Sequence, residues 1–299
     1  MASQVSLRGV FPPVTTPFVN GEVSAQKLRE NVEKLNRTGL HGYVILGSNG
    51  EYVHLNEREK LLCVETVCAA AGDGMLRITG TGGETTEETI HFTKEAARLG
   101  AQVALVVTPH YYRGRMDNTA LIEHFTRVAD AVPIPVMIYN VPANTGINVD
   151  PAVPIKLSEH PNIIGMKNSS GLIAEMAEAI ADARPGFQVL AGSGSFFLPT
   201  LAIGGTGCVP ALGNVAPQEC VAIFDLWHAG KLEEARAMQL RVVALNKAVT
   251  SKWGVPALKA AQDMLGYYGG EPRRPLLPLG EKERTELRKI MVKAGVLAS

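Results

Sequence analysis

Ile163-Ile164-Gly165-Met166-Lys167-Asn168-Ser169-Ser170-Gly171 is a short apolar run that delivers a single lysine into a turn of small residues. Four apolar or glycine residues in succession read as a strand buried on both faces, the habit of parallel sheets. In a closed parallel barrel, the C-terminal ends of the strands are where reactive groups are presented. Most lysines are solvated surface groups, so a lysine at such a place needs a chemical reason. An amine of pKa near 10.4 is only ~0.04% neutral at pH 7, and desolvation at a barrel mouth lowers that pKa and makes the amine a nucleophile toward carbonyl carbon.

Seven further runs of the same kind flank this one, at 10–14, 42–46, 76–80, 103–107, 136–139, 188–191 and 207–209. Amphipathic helical patterns lie between them at 25–37, 57–71, 86–99, 118–131 and 173–183. Strand and helix alternating eight times specify an α/β fold, a (β/α)8 TIM barrel, better than an open sheet. The barrel is expected to occupy residues 1–216. Residues 217–299 are expected to form a C-terminal helical region, with patterns at 219–229, 232–247, 256–265 and 281–294 and a glycine- and proline-rich break at 266–278.

With 299 residues, 46% hydrophobic and 19% charged, the chain is long enough to bury a large core. Lysine plus arginine and aspartate plus glutamate both number 29, with no basic run that would follow a phosphate backbone. Nucleic acid is therefore not an expected partner, and a small anionic ligand is. Cys63, Cys68, Cys208 and Cys220 form no C-x-x-C pair and read as structural. The seven histidines show no metal-ligand spacing, so a metal is not expected, and a covalent imine on Lys167 would call for no other cofactor. No stretch is apolar enough to span a membrane, and the N-terminal residues lack a signal core or an Arg-rich presequence. The sequence reads as cytoplasmic, or as mitochondrial matrix if a transit peptide was removed.

The residues that follow each run form a coherent set. Gly47-Ser48-Asn49-Gly50-Glu51 follows the second run and places a hydroxyl and an amide between glycines, a means of holding a carboxylate that doubles as ordinary turn chemistry. Thr108 to Arg115, with Tyr111 and Tyr112, follows the fourth. The fifth leads through Tyr139-Asn140-Val141-Pro142 to Asn144. A phenol beside an imine-forming lysine is a reasonable acid and base, although a mouth tyrosine taken singly more often packs with its hydroxyl in water. Gly192-Ser193-Gly194-Ser195 leaves backbone room for a ligand after the seventh run, and Val209 ends the eighth.

Three of these motifs, G-x-x-G-E at Gly47 to Glu51, Y-N-V-P from Tyr139 and G-M-K ending at Lys167, occur in the order and approximate spacing of a known family. The chain resembles the dihydrodipicolinate synthase and N-acetylneuraminate lyase superfamily of class I pyruvate aldolases over essentially its whole length. The resemblance implies that Lys167 forms an imine with the keto carbon of a 2-oxo acid. Tyr139 would serve as acid and base, and Ser48 and Asn49 would hold the pyruvyl carboxylate, with Gly47 beside them a further expected substrate contact. Tyr111, in preference to Tyr112, would reach a neighbouring subunit's site, which implies a homotetramer built as a dimer of dimers.

Within the superfamily the synthases carry an arginine where this chain has Asn144, and losing that guanidinium removes a bidentate carboxylate clamp. The runs Tyr111 to Met116, Val141 to Gly146 and Gly266 to Gly270 resemble instead the branch of 4-hydroxy-2-oxoglutarate aldolases. That resemblance implies that Ser169 hydrogen-bonds the distal substrate carboxylate; Asn144, Gly192 and Val209 are further expected substrate contacts. It departs at Asn168, where the branch has an acidic residue, and the distal pocket is expected to differ there; aldol cleavage or dehydration of sugar-derived 2-keto-3-deoxy acids, then a synthase role, then a non-catalytic pyruvate-binding barrel are the alternatives.

Overall fold

A computed structural model describes residues 5–298; the outer ends of the two expected regions, residues 1–4 and 299, lie outside the described residues. Eight parallel strands form the barrel: β1 (Gly9–Val10), β2 (Gly42–Ile45), β3 (Leu76–Gly80), β4 (Val103–Val107), β5 (Val136–Asn140), β6 (Ile163–Asn168), β7 (Gln188–Ala191) and β8 (Gly207–Cys208). Each pairs with its sequence neighbour from β2 to β8, and β8 pairs with β1. The ring closes through a bridge between Pro13 and Val44, where Val44 N–H donates to Pro12 and Val14 N–H to Val44, each at 3.0 Å. The first strand is shorter than its apolar run, because Pro12 and Pro13 have no N–H to give to a ladder.

Helices α1 (Ala25–Leu35), α2 (Glu57–Ala70), α3 (Thr86–Arg98), α4 (Asn118–Ala131), α5 (Ala152–Leu157), α6 (Ile173–Asp182), α7 (Phe197–Ala202) and α8 (Pro217–His228) follow the strands in turn. Four of them start on side-chain caps, Ser24, Asn56, Thr85 and Asp117, which satisfy first-turn N–H groups that have no partner inside the helix. A small antiparallel hairpin, Phe18–Val19 with Glu22–Val23, follows the first strand, its turn made by Asn20 and Gly21 in the left-handed region. Leu105, Met137, Ile164, Leu190 and Val209 fill the barrel interior with Phe11 and Val44. Outward-facing residues such as Val106, Ile138 and Met166 pack beneath α4 and α6.

The C-terminal part contributes α9 (Leu232–Lys247), α10 (Gly254–Met264) and α11 (Glu281–Lys293). Between α9 and α10 the chain makes one turn of π-helix, Ala248–Lys252. Val242, Leu245, Leu258, Leu287 and Met291 share one apolar cluster with residues of α1, α2 and α8, so these helices pack on the barrel's helical layer. No helix among the described residues is long and apolar enough to cross a membrane.

Candidate active site

Lys167 lies inside a strand rather than beyond it, since β6 continues through Asn168. A one-residue register shift against β5 decides which way it points. Val136 pairs with Ile163, but Met137 pairs with Gly165, leaving Ile164 as an extra residue. Side chains alternate along a strand, so this extra residue exchanges the faces beyond it. Ile163 and Met166 pack outward, Ile164 packs inward, and Lys167 comes into register with the inward-facing Tyr139. Regular pairing would have sent the ammonium out beneath the helices. Gly165 makes the shift feasible, because a Cβ there would stand 2.2 Å from the Gln188 carbonyl oxygen.

Val107, Tyr139, Lys167 and Leu190 are consecutive cross-strand partners on β4 to β7. Lys167 is only 2% exposed, and its Nζ stands 3.9 Å from the centre of the Tyr139 ring. The Tyr139 hydroxyl is 3.3 Å from Ser48 Oγ. Burial opposes ionisation of this phenol, but the charge of Lys167 and the hydrogen-bonding groups of Ser48, Lys167 and Ser169 outweigh it and hold its pKa below the ordinary tyrosine range. Tyr52, which joins Gly47 and Tyr139 around a small adjoining cavity, is pushed up to about 12, chiefly by burial. Of these two phenols, only Tyr139 is shifted toward easier ionisation.

Tyr139 lines a cleft of about 650 Å³, within the range of small-molecule sites, while Lys167 lies against the Tyr139 ring and is not itself among the lining residues. Tyr139, Ser48, Asn49, Asn144, Ser169 and Gly192 all line it. Ser48 and Asn49 sit on a single 3₁₀ turn, Ser48–Gly50, bracketed by Leu46 and Glu51, both in the left-handed region at φ 58° and 56°. Such conformations cost roughly 1–3 kcal/mol each in non-glycine residues and concentrate at functional sites. Gly192 is tight against Ser169: a Cβ there would fall 1.9 Å from Ser169 Oγ. Two expected substrate contacts do not line the main cleft: Gly47 lines the small adjoining cavity with Tyr52 and Tyr139, and Val209 is buried in the apolar interior.

Tyr111 stands apart. It is 78% exposed and packs edge-on against Tyr112, itself 73% exposed, while Glu84 accepts the His110 and Tyr111 N–H groups. Asn168 does not line the cleft either. Its Oδ1 accepts from Asn140 Nδ2 and from the Ser170 N–H, so the residue expected to reshape the distal pocket bears on it through the backbone of Ser170.

Several residues of the site are absent from the strand-end reading. Thr250 and Ser251, on the π-helical turn, and Val255 form part of the cleft wall. Asn246 on α9 donates to Ser193 Oγ at 3.0 Å and Ser195 Oγ at 2.7 Å, which fixes two more hydroxyls of the wall. Lys259 on α10 is fully buried and donates to Glu51 Oε1 at 2.7 Å. The signal for Lys259 is the one that marks Lys167, a lone lysine in an apolar run, Val255-Pro256-Ala257-Leu258-Lys259-Ala260-Ala261. No group of three or more His, Cys, Asp or Glu among the described residues is placed to hold a metal ion.

A model of the dihydrodipicolinate synthetase family matches residues 6–294. The chain is 37% identical over 295 residues to a probable mitochondrial 4-hydroxy-2-oxoglutarate aldolase of Emericella nidulans, a match covering 97% of this chain and 95% of that one. It is 36% identical over 292 residues to a 4-hydroxy-tetrahydrodipicolinate synthase of Methanothrix thermoacetophila, covering 97% and 98%. A solved structure of a prophage protein of the dihydrodipicolinic acid synthase family from E. coli K12, in complex with pyruvate, superposes with a TM-score of 0.92 at 28% identity, covering 98% of this chain and 100% of that one.

Proposed function

Because this chain belongs to the dihydrodipicolinate synthetase family and is an enzyme of the lyase and aldolase kind, we propose that it is a class I aldolase cleaving 4-hydroxy-2-oxoglutarate to pyruvate and glyoxylate. The observation that carries this reading is the buried Lys167 in register with Tyr139, 3.9 Å from its ring, with Ser48 at hydrogen-bonding distance from the phenol. Lys167 Nζ attacks C2 of the substrate and, with loss of water, forms an imine whose protonated form is an electron sink. Tyr139 takes the C4 hydroxyl proton as the C3–C4 bond breaks. Glyoxylate leaves, and the pyruvate enamine is protonated at C3 and hydrolysed, restoring the amine. Ser48 and Asn49 hold the carboxylate next to the imine throughout. The lysine provides the electron sink, so the reaction needs no metal or other cofactor.

Two observations bear on the choice of substrate. No arginine is among the side chains lining the cleft, which speaks against a condensation that must grip a second carboxylate by a guanidinium. The hydroxyls of Ser193, Ser195, Thr250 and Ser251 along the wall favour, as a second reading, aldol cleavage or dehydration of sugar-derived 2-keto-3-deoxy acids. The exposure of Tyr111 and Tyr112 supports a homotetramer, a dimer of dimers in which Tyr111 completes a neighbour's site.

The test is pyruvate release from 4-hydroxy-2-oxoglutarate, followed by coupled NADH oxidation, with Lys167→Ala as control. The expected result is turnover that Lys167→Ala abolishes. Turnover of 2-keto-3-deoxy sugar acids alone would instead establish the second reading.

A further inference from the structure

Glu51 closes the turn that carries Ser48 and Asn49, and both of its carboxylate oxygens are occupied from far away in the chain. Oε1 accepts from Lys259 Nζ at 2.7 Å, and Oε2 accepts from the Arg273 N–H at 2.8 Å, with His54 Nδ1 at 3.4 Å. Lys259 also donates to the Glu271 carbonyl at 3.1 Å, and Thr16 Oγ1 to the Gly50 carbonyl at 2.7 Å. The Lys259 and Glu51 side chains are 0% and 1% exposed. Desolvating such a pair offsets much of its Coulombic attraction, so it is weak evidence for stability. What it does supply is a fixed geometry in a turn whose flanking residues are held in left-handed conformations.

From this arrangement we propose that Lys259 is a positioning residue for substrate binding: its buried ion pair with Glu51 holds the Ser48–Asn49 turn where it receives the carboxylate of a 2-oxo acid. The proposal rests on the reading of the cleft as an imine-forming 2-oxo-acid site. It makes the C-terminal helical part a working component of that site. Lys167 is held by the register of β6 against its neighbours, a support independent of Lys259, whereas Tyr139 shares that register and also meets Ser48 of the turn at 3.3 Å. Carboxylate recognition and presentation of the Lys167 amine therefore have separate supports, and a change at Lys259 separates them.

The experiment is reductive trapping with borohydride on the full-length chain, scored as modified Lys167 by peptide mass spectrometry. Pyruvate is titrated in parallel with acetone, which offers the carbonyl without the carboxylate. In Lys259→Met the half-saturating pyruvate concentration is expected to rise by about tenfold or more, the scale of one lost charge-assisted hydrogen bond. The trapped fraction at saturation and the acetone curve are expected to match the parent. Glu51→Gln, which preserves size and hydrogen-bonding capacity, is expected to shift pyruvate in the same direction, and it decides the matter if Lys259→Met does not fold. A pyruvate curve unmoved in the folded variants, or an equal shift for acetone and pyruvate, overturns the proposal. Trapping of neither ketone by the parent overturns the imine reading itself, and this proposal with it.

Discussion

Tyr139 is the residue whose behaviour depends most directly on its neighbour. Burial alone would raise its pKa; the charge of Lys167, 3.9 Å from the ring, works with nearby hydrogen-bonding groups to bring it below the ordinary value near 10. A depressed pKa means that the phenolate fraction at neutral pH exceeds that of a free tyrosine. Ultraviolet difference titration of the parent against Tyr139→Phe is expected to isolate one tyrosine ionising early. In Lys167→Ala that transition is expected to move upward, since the cation that favours the phenolate is gone; an unchanged midpoint would show that the two groups are not coupled. At this scale Lys167, Tyr139, Ser48 and Asn49 were legible because small-residue turns follow apolar runs. Lys259 carries the same kind of signal, but it sits in a helical segment where strand-end reasoning does not look.

The element that decides the site is β6, and its decisive feature is the extra residue at Ile164. The apolar run 163–166 announces a strand, but pairing register is a relation between two strands and leaves only an indirect trace, the glycine at 165. A Gly165→Ala substitution places its methyl against the Gln188 carbonyl oxygen, which is backbone and cannot rotate away. The expected cost is about 1–3 kcal/mol, typical of overpacking in a closed core, read as a lowered denaturation midpoint. Formation of the Lys167 imine is expected to fall with it, because relaxing the register turns the lysine from the inward face. Parent-like stability and trapping in this variant would contradict the role assigned to the register shift. The short β1 carries the complementary lesson: an apolar run predicts burial, and the two prolines within it withhold the N–H groups a ladder needs.

For the whole molecule, eight strands, six of the eight helices that follow them and a helical C-terminal part were readable from hydrophobic pattern, which reports local periodicity; α5 and α7, six residues each, are too short to show one. How that C-terminal part meets the barrel was not readable. The contacts that matter, Lys259 with Glu51 and Asn246 with Ser193 and Ser195, join residues 208, 53 and 51 apart, and no periodicity encodes such distances. The result is a cleft lined by Tyr139 of β5 and the loops that follow the barrel strands, with part of its wall supplied by the segment joining α9 to α10. Activation of 2-oxo acids through Lys167 is tested most directly by borohydride reduction of the full-length chain during incubation with 4-hydroxy-2-oxoglutarate, followed by intact-mass and peptide analysis. One covalent adduct per chain is expected, located on Lys167 and absent from Lys167→Ala. An unmodified chain that nevertheless releases pyruvate, or an adduct on another lysine, would contradict it.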